Sequence, residues 1–271
     1  MQDTEKNIEN RPIGVFDSGV GGLSILKELE NLLPNENFVF LADQKYVPYG
    51  EKTKDELVEL VYRITDYLIK NHNVKMIVVA CNTATCGAIE ELRAKYPIPI
   101  VGTVPAIKLA AKKTKSGTVA SISTPSTSKS EAVKKIIKND CAGINVLNIG
   151  CKNLENAVET GDLNSAHINS LLLKYLKKVK NSVADYLVLG CTHYPFLKKT
   201  IQKIVGRKVK LLDSGKAIAR RTKSLLSSNF LANKQKKNGK TIYFTTLNPS
   251  NFSKVASILL KKKIESKKVT I

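Results

Sequence analysis

The amino-acid sequence predicts an α/β fold made of two similar units, each with a mainly parallel sheet. Short apolar, β-branched runs alternate with segments of helical spacing along most of the 271 residues. Met76–Ala80 is wholly apolar, as expected of a central parallel strand that is covered on both faces. Met76–Thr83 and Tyr186–His193 share one pattern, in which an apolar strand leads to a small residue, a cysteine and two polar residues. We therefore expect each sheet to present a thiol at the carboxyl end of a strand, where open α/β sheets bind ligands.

The first unit is predicted to open with the strand Ile13–Phe16, a glycine-containing turn and a helix through Leu33. Its remaining elements, in order, are the strand Phe38–Leu41, the irregular segment Ala42–Lys52, the helix Asp55–Asn71, the strand Met76–Ala80, a helix to about Lys95 and the strand Ile100–Gly102. A crossover near Thr103–Pro105 leads into the second unit.

The second unit is predicted to contain strands separated by helices. Its elements are the strand Thr118–Ile122, a turn at Ser123–Ser128, a helix to about Lys138, and the strands Asn145–Asn148 and Tyr186–Gly190 with helices between them. After Asp213 follow a helix through Leu226, the polar linker Asn233–Lys240, the strand Thr241–Thr245 and the helix Ser250–Leu260.

The composition is that of a globular protein, with 42% apolar and 25% charged residues. No apolar run approaches the roughly 18 residues that a membrane helix needs. Met1–Asn10 lacks the pattern of a secretory signal, so we expect a cytoplasmic protein. The five cysteines are then expected to be reduced, and the absence of a C-x-x-C pair gives no support to a zinc site.

The net charge of +21 is concentrated near the end of the chain, since residues 197–271 hold 20 Lys and Arg against 2 Asp and Glu. Such an excess raises the alternative of nucleic-acid binding. The basic runs carry no clustered aromatic residues that could stack on bases, which favours a solvated lysine-rich surface.

Cys81 and Cys191 are the leading catalytic candidates. A thiol that follows a strand and precedes a helix meets free backbone N–H groups, and we expect these to lower its pKa. The alternative is that each cysteine is a small apolar residue in a tight turn. Cys86, Cys141 and Cys151 lack this polar context and are expected to have packing roles.

A matched pair of thiols suits the inversion of a carbon that bears an acidic hydrogen. One group removes a proton from one face while the other delivers a proton to the opposite face. A hydrolase of the Cys–His type would use one thiol and leave the second unexplained.

Polar residues beside the two cysteines could assist them. His193 could activate Cys191, protonate a substrate carboxylate or hold the turn. Asp17 could serve Cys81 or cap the following helix, and these two roles are compatible. Neutral donors for a substrate carboxylate are expected at Ser18, Asn82, Thr83 and Thr192. The turn Gly19–Gly22 lacks the third spaced glycine of a dinucleotide fingerprint, and we interpret its glycines as room for the backbone to approach a small ligand.

Four segments together resemble the signature segments of the bacterial glutamate racemase family. They are Phe16–Gly22, Val47–Gly50, Ala80–Thr85 and Gly190–Pro195, and Tyr243–Thr246 resembles the last strand of the family. The resemblance covers nearly the whole chain. It implies an isomerase that needs neither cofactor nor metal and interconverts L- and D-glutamate, supplying D-glutamate for peptidoglycan.

The resemblance also implies roles for individual residues. Cys81 and Cys191 would be the proton donors and acceptors, Cys81 acting on D-glutamate with Asp17 and Cys191 on L-glutamate with His193, which Glu159 would orient. The substrate-binding positions would be Asp17, Ser18, Tyr49, Gly50, Asn82, Thr83, Thr124, Thr127, Thr192 and His193. Aspartate racemases resemble the same plan but usually carry a glutamate in place of His193, so the histidine favours glutamate as substrate.

The implied fold has two α/β domains that face each other across the active site, comprising residues 1–104 with 214–271, and residues 105–213. Family members are commonly homodimers, which makes a dimer the expectation here. The sequence departs from the family pattern at Ser123, where the family has glycine, and at Val133, where a tyrosine is usual. A protein that binds glutamate but turns it over slowly is therefore an alternative.

Overall fold

The computed structural model describes residues 8–235 and 237–271. Most of the polar start that suggested a cytoplasmic protein, and Lys236 of the polar linker, lie outside the described residues. No helix within the described ranges is both long and apolar enough to cross a membrane.

Two parallel sheets organise the chain. The ten strands are β1 (Ile13–Asp17), β2 (Phe38–Ala42), β3 (Met76–Val79), β4 (Ile100–Gly102), β5 (Thr118–Ser123), β6 (Asn145–Gly150), β7 (Tyr186–Leu189), β8 (Lys210–Leu212), β9 (Thr241–Thr245) and β10 (Ser266–Lys268). The first sheet has the order β10-β9-β2-β1-β3-β4, and the second has the order β6-β5-β7-β8. Every residue of β1, β2 and β3 is buried, because helices cover both faces of the first sheet. The predicted α/β fold with mainly parallel sheets is confirmed.

Eleven helices of the described residues connect and cover these strands. They are α1 (Leu23–Leu32), α2 (Lys54–His72), α3 (Asn82–Lys95), α4 (Ile107–Lys113), α5 (Pro125–Lys129), α6 (Glu131–Asp140), α7 (Leu154–Glu159), α8 (Ala166–Lys180), α9 (Lys198–Val205), α10 (Gly215–Ser228) and α11 (Pro249–Leu260). Short 3-10 turns at Val20–Gly22, Tyr49–Glu51 and Tyr194–Leu197 lie beside the carboxyl ends of the strands.

The prediction of a turn at Ser123–Ser128 followed by one helix is wrong. Thr124 caps α5 by accepting a hydrogen bond from the Thr127 amide at 3.3 Å, and Ser130 caps α6 by accepting one from the Val133 amide at 3.2 Å. Hydroxyl side chains at both helix starts divide the segment into two short helices. Val133, one of the departures from the family pattern, is buried in the core of the second sheet.

The sequence did not predict β8 or β10, and both are short, polar edge strands. The last part of the chain returns to the first sheet, where β9 pairs with β2 in parallel. The chain passes from one sheet to the other near Val104 and back near Ser214. These two segments are in contact, since the Ser214 hydroxyl donates a hydrogen bond to the Val104 carbonyl at 2.6 Å. The domain boundaries at residues 104 and 214 stay a prediction.

Candidate active site

Cys81 lies two residues after the end of the strand β3 and caps the helix α3. Its backbone is extended, and its sulfur accepts a hydrogen bond from the Ala84 amide at 3.5 Å. The predicted position of this thiol, between a strand end and a helix start, is confirmed.

Cys191 occupies the corresponding place in the second sheet, two residues after β7 ends. The two cysteines therefore come from different sheets, and both line one cavity of about 370 Å³, part of which is open to solvent. The cavity is lined by Ser18, Val47, Pro48, Tyr49, Gly50, Cys81, Asn82, Thr83, Thr124, Thr127, Glu155, Cys191, Thr192 and His193.

His193 connects Cys191 to a buried carboxylate. Its Nδ1 atom lies 3.6 Å from the Cys191 sulfur, and its Nε2 atom lies 2.7 Å from Oε1 of Glu159. Burial disfavours the imidazolium, but the hydrogen bonds and negative charges of Cys191 and Glu159 outweigh it and raise the pKa of His193 well above its ordinary value. Burial likewise opposes ionisation of Glu159, yet its hydrogen bond to His193 and that group's charge lower the pKa of Glu159. These two residues form a charged pair behind Cys191.

Asp17 lies behind Cys81 at the end of β1 and is fully buried. Its Oδ1 accepts from the Ser18 amide at 2.7 Å, and its Oδ2 accepts from the Thr192 hydroxyl at 2.9 Å. Neither Val20–Gly22 nor α1 has a side-chain cap, so the alternative of Asp17 as a helix cap is wrong. Burial raises the pKa of Asp17, against the opposing charge of His193, and makes its carboxylate a stronger base.

The expectation of a lowered pKa at Cys81 is wrong. Burial, followed by the negative charge of Asp17, raises the pKa of this thiol well above its ordinary value, although the Ala84 amide acts in the opposite direction. One backbone hydrogen bond does not offset the removal of a thiolate from water. Cys81 is therefore a thiol in the free protein.

Three threonine hydroxyls meet where the two sheets face each other. The hydroxyl oxygen of Thr83, on α3, lies 3.1 Å from those of Thr124 and Thr127, which in turn lie 3.0 Å apart. These groups can donate to a carboxylate that enters the cavity. The replacement of the family glycine by Ser123 leaves both second-sheet hydroxyls on the cavity wall.

The glycines of the turn after β1 make room for side chains from the second sheet. A Cβ atom on Gly19 would lie 1.8 Å from Oε1 of Glu159, and one on Gly21 would lie 2.5 Å from Nδ1 of His193. The glycines let Glu159 and His193 approach the first sheet. The interpretation that they let the backbone approach a small ligand stays a prediction.

Sequence reasoning named most residues of the cavity wall but missed three of them, and it also missed Gln44, which lies behind the wall. Val47 and Pro48 precede the predicted Tyr49 and Gly50 directly. Glu155 lies one helical turn before Glu159, a spacing that puts both on one face of α7 and could have indicated it. One Glu155 carboxylate oxygen is buried without a hydrogen-bond partner among the described residues. Gln44, which bonds to Glu159 at 2.7 Å, lies 115 residues away from it in sequence, and no local pattern connects the two.

In both parallel sheets, the carboxyl ends of the strands thus face one cavity, which is lined by one thiol from each sheet. Of the residues in the described ranges, no group of three or more His, Cys, Asp or Glu side chains is placed to hold a metal ion. Fold and site together define a two-domain α/β enzyme with paired thiols in its cleft.

Comparison with known proteins identifies the family. Residues 13–222 match the family model for Asp/Glu/Hydantoin racemase, and the chain belongs to this family. A glutamate racemase from Herpetosiphon aurantiacus is 40% identical over 252 residues, which cover 93% of this chain and 99% of that protein. The identification as a relative of glutamate racemases is confirmed.

Solved structures agree with this result. Glutamate racemase isoform RacE1 from Bacillus anthracis superposes with a TM-score of 0.88 at 30% identity, covering 97% of this chain and 98% of that one. Glutamate racemase from Francisella tularensis, solved in complex with D-glutamate, gives a TM-score of 0.83 at 32% identity, with the same coverage of 97% and 98%.

Proposed function

We propose that this protein interconverts L- and D-glutamate by proton transfer at the α-carbon, with Cys81 and Cys191 as the two acid–base groups. The observation that carries the proposal is the single cavity lined by one thiol from each sheet. Relatives that are glutamate racemases, one of them solved with D-glutamate, support the choice of substrate.

Glutamate would be held with its α-carbon between the two sulfur atoms. Hydroxyl and amide groups of Ser18, Asn82 and Thr192 would bind one carboxylate, and those of Thr83, Thr124 and Thr127 the other. The first turn of α3 also offers free backbone N–H groups to an anion. The remaining proposed substrate-binding positions are Asp17, Tyr49, Gly50 and His193. Tyr49 is oriented by donating its hydroxyl proton to Asp43 at 2.6 Å.

In the direction from L- to D-glutamate, the Cys191 thiolate takes the α-proton and the C–H electron pair remains on the substrate as a carbanion. The Cys81 thiol then donates its proton to the opposite face, which forms the new C–H bond and leaves a thiolate. The raised pKa of Cys81 suits it to start as the proton donor in this direction. His193 exchanges a proton with Cys191, and Glu159 holds the imidazole.

In the reverse direction Cys81 must first lose its proton. The Cys81 sulfur lies 3.8 Å from the Ser18 hydroxyl, which lies 3.3 Å from Oδ1 of Asp17. Asp17, with its raised pKa, is the acceptor that we assign to this proton.

The remaining expectations extend this proposal. The reaction would need neither cofactor nor metal, and D-glutamate would supply peptidoglycan synthesis in the cytoplasm. A homodimer and nucleic-acid binding through residues 197–271 stay predictions. Sedimentation and the salt dependence of DNA binding test them, because binding through phosphate contacts weakens steeply with salt.

Incubation of each enantiomer in deuterated water tests the function. We expect loss of optical activity together with incorporation of deuterium at the α-carbon, starting from either enantiomer. Aspartate and hydantoin substrates in the same assay separate this activity from those of related racemases. Racemisation of aspartate or a hydantoin with no action on glutamate would overturn the proposal.

A further inference from the structure

The carboxylate of Glu159 is held from both sides of the cleft. Glu159 belongs to α7, beside the second sheet, and its Oε1 accepts a hydrogen bond from His193 at 2.7 Å. The same oxygen accepts a hydrogen bond from the Val20 amide at 2.7 Å, while Oε2 accepts one from the side-chain amide of Gln44 at 2.7 Å. Val20 and Gln44 both belong to the first sheet's side of the cleft. The group that orients the imidazole is therefore itself fixed by the opposite half of the molecule.

The orientation of the Gln44 side chain is determined by a further contact. Its Oε1 atom accepts a hydrogen bond at 2.9 Å from the hydroxyl of Thr245, a buried residue at the end of β9. The Thr245 oxygen in turn accepts from the Leu247 amide at 3.2 Å. An ionised carboxylate can only accept hydrogen bonds, so the Gln44 atom that faces Glu159 is the nitrogen of its NH₂ group. The Gln44 oxygen then faces Thr245, whose hydroxyl donates to it.

We propose that Gln44 is a positioning residue for the Cys191–His193 pair, acting through Glu159. This inference rests on the proposed function, in which Cys191 transfers the α-proton with the help of His193. The Gln44 amide prevents rotation of the Glu159 carboxylate about its terminal bond, so that Oε1 stays in line with Nε2 of His193. A hydrogen bond to a buried carboxylate is stronger than one between neutral groups, because one partner carries a full charge. Gln44 contacts neither thiol and is not a lining residue of the cavity.

Substitution of Gln44 by leucine tests the positioning role. Gln44→Leu keeps the size of the side chain but leaves Oε2 of Glu159 without its donor. We expect kcat to fall on the order of ten- to a hundredfold, the cost of one hydrogen bond to a charged group. We expect KM to change by less than about twofold, because Gln44 touches no part of the cavity where substrate binds.

The imidazole of His193 provides a readout that does not depend on turnover. Titration of the histidine resonances by NMR, assigned with His193→Gln, is expected to show a lower pKa for His193 in Gln44→Leu, because the carboxylate that stabilises the imidazolium loses its fixed orientation. Thr245→Val is a second variant, and it leaves the Gln44 side chain itself in place. It removes the donor that orients the amide and should shift both readouts in the same direction by a smaller amount.

Gln202→Leu is the matched control. The Gln202 amide donates to the Gly206 and Val209 carbonyls, away from the cavity. Urea denaturation should show a lower free energy of unfolding for this variant, whereas its kcat and its His193 titration should equal those of the wild type. An equal effect of Gln202→Leu on kcat would overturn the positioning role and assign the effect of Gln44→Leu to general destabilisation.

A double-mutant cycle with Glu159→Gln decides whether Gln44 acts through Glu159. Adding Gln44→Leu to Glu159→Gln is expected to cause less than a twofold further loss of kcat, because the contact is already altered. If the double variant instead loses kcat by the product of the two single-variant factors, the two residues act independently and the inference is overturned. If the wild-type protein does not racemise glutamate, the proposed function fails, whereas the His193 titration still tests Gln44.

Discussion

The sulfur of Cys191 lies 3.6 Å from Nδ1 of His193, and both side chains are buried. This contact couples the thiol of the second sheet to an imidazole whose positive charge is stabilised by Glu159. No comparable cation stands beside Cys81 among the described residues, where the neighbour is the carboxylate of Asp17. The two thiols thus occupy electrostatically opposite surroundings, which suits one to begin as acceptor and the other as donor.

The raised pKa of His193 leads to a prediction about stability and pH. The folded chain binds this proton more tightly than the unfolded chain, whose histidine has the ordinary value of 6.5. The resulting stabilisation is complete below that value and is lost as the pH rises through the folded-state pKa. We therefore expect the loss of unfolding free energy in His193→Gln to be larger at about pH 6 than at about pH 9. Urea denaturation at both pH values measures it, and a loss that grows with pH would contradict the assignment.

Each thiol is expected to be indispensable for racemisation. Cys81→Ala and Cys191→Ala each remove one of the two acid–base groups, and we expect kcat to fall by about 10²- to 10⁴-fold in either direction. Polarimetry with each enantiomer measures the effect. Cys141→Ala, at a buried cysteine in the core of the second sheet, is the control and should keep the wild-type kcat. Full racemisation by either single-thiol variant would refute the two-thiol mechanism.

The glycine nearest Glu159 is expected to tolerate no side chain. In Gly19→Ala the added methyl group would lie 1.8 Å from Oε1 of Glu159, so the carboxylate must leave His193. We expect a loss of kcat of about 10²-fold, as for other small displacements of catalytic groups. The matched control is Gly87→Ala on α3, whose methyl group would meet only the flexible end of Leu57 at 2.7 Å. A wild-type kcat in Gly19→Ala would show that Glu159 is not needed in its observed position.

Much of this arrangement could be predicted because its signals are local. Cys81 and Cys191 follow apolar runs that specify buried strands, and parallel strands bring their carboxyl ends to one edge of a sheet. The turn after β1 shows the limit of such reasoning. Its glycines indicated a close approach, but the sequence could not tell whether a ligand or another side chain approaches.

The features that could not be predicted depend on contacts between distant residues. Gln44 and Glu159 are hydrogen-bonded although they lie 115 residues apart in sequence, and no sequence pattern near either residue indicates the contact. The pKa of Cys81 depends on how deeply the thiol is buried and on the carboxylate of Asp17, so the dipole of α3 alone gave the wrong direction. The edge strand β10 consists of polar residues, so it lacks the alternation of apolar residues that would indicate a strand.

The hydroxyls of the second sheet are expected to affect substrate binding more than catalysis. Thr124→Val keeps the shape of the side chain and removes the oxygen that lies 3.1 Å from Thr83 and lines the cavity. We expect KM for both enantiomers to rise about five- to tenfold, the loss of roughly one hydrogen bond, while kcat stays within about threefold. Initial rates over a range of glutamate concentrations separate the two. A fall in kcat at unchanged KM would instead place Thr124 among the groups that move protons.

A buried ion pair at the other end of the first sheet is expected to support stability without touching the chemistry. Lys75, directly before β3, has its ammonium group 2.6 Å from Oε2 of Glu36, and both side chains are almost completely buried. Oε1 of the same carboxylate accepts from the Asn233 amide at 2.8 Å, which ties the linker after α10 to the sheet.

Removing one partner of this pair leaves the other charge buried without compensation. We expect Lys75→Met to lower the free energy of unfolding by about 3–5 kcal/mol, and the double variant Lys75→Met/Glu36→Gln to recover part of that loss. Urea denaturation measures both. The kcat per folded molecule should remain unchanged, because Cys81 lies at the opposite end of β3, one strand length from Lys75. A double variant less stable than Lys75→Met would mean that Glu36 stabilises the fold mainly through Asn233 rather than through the lysine.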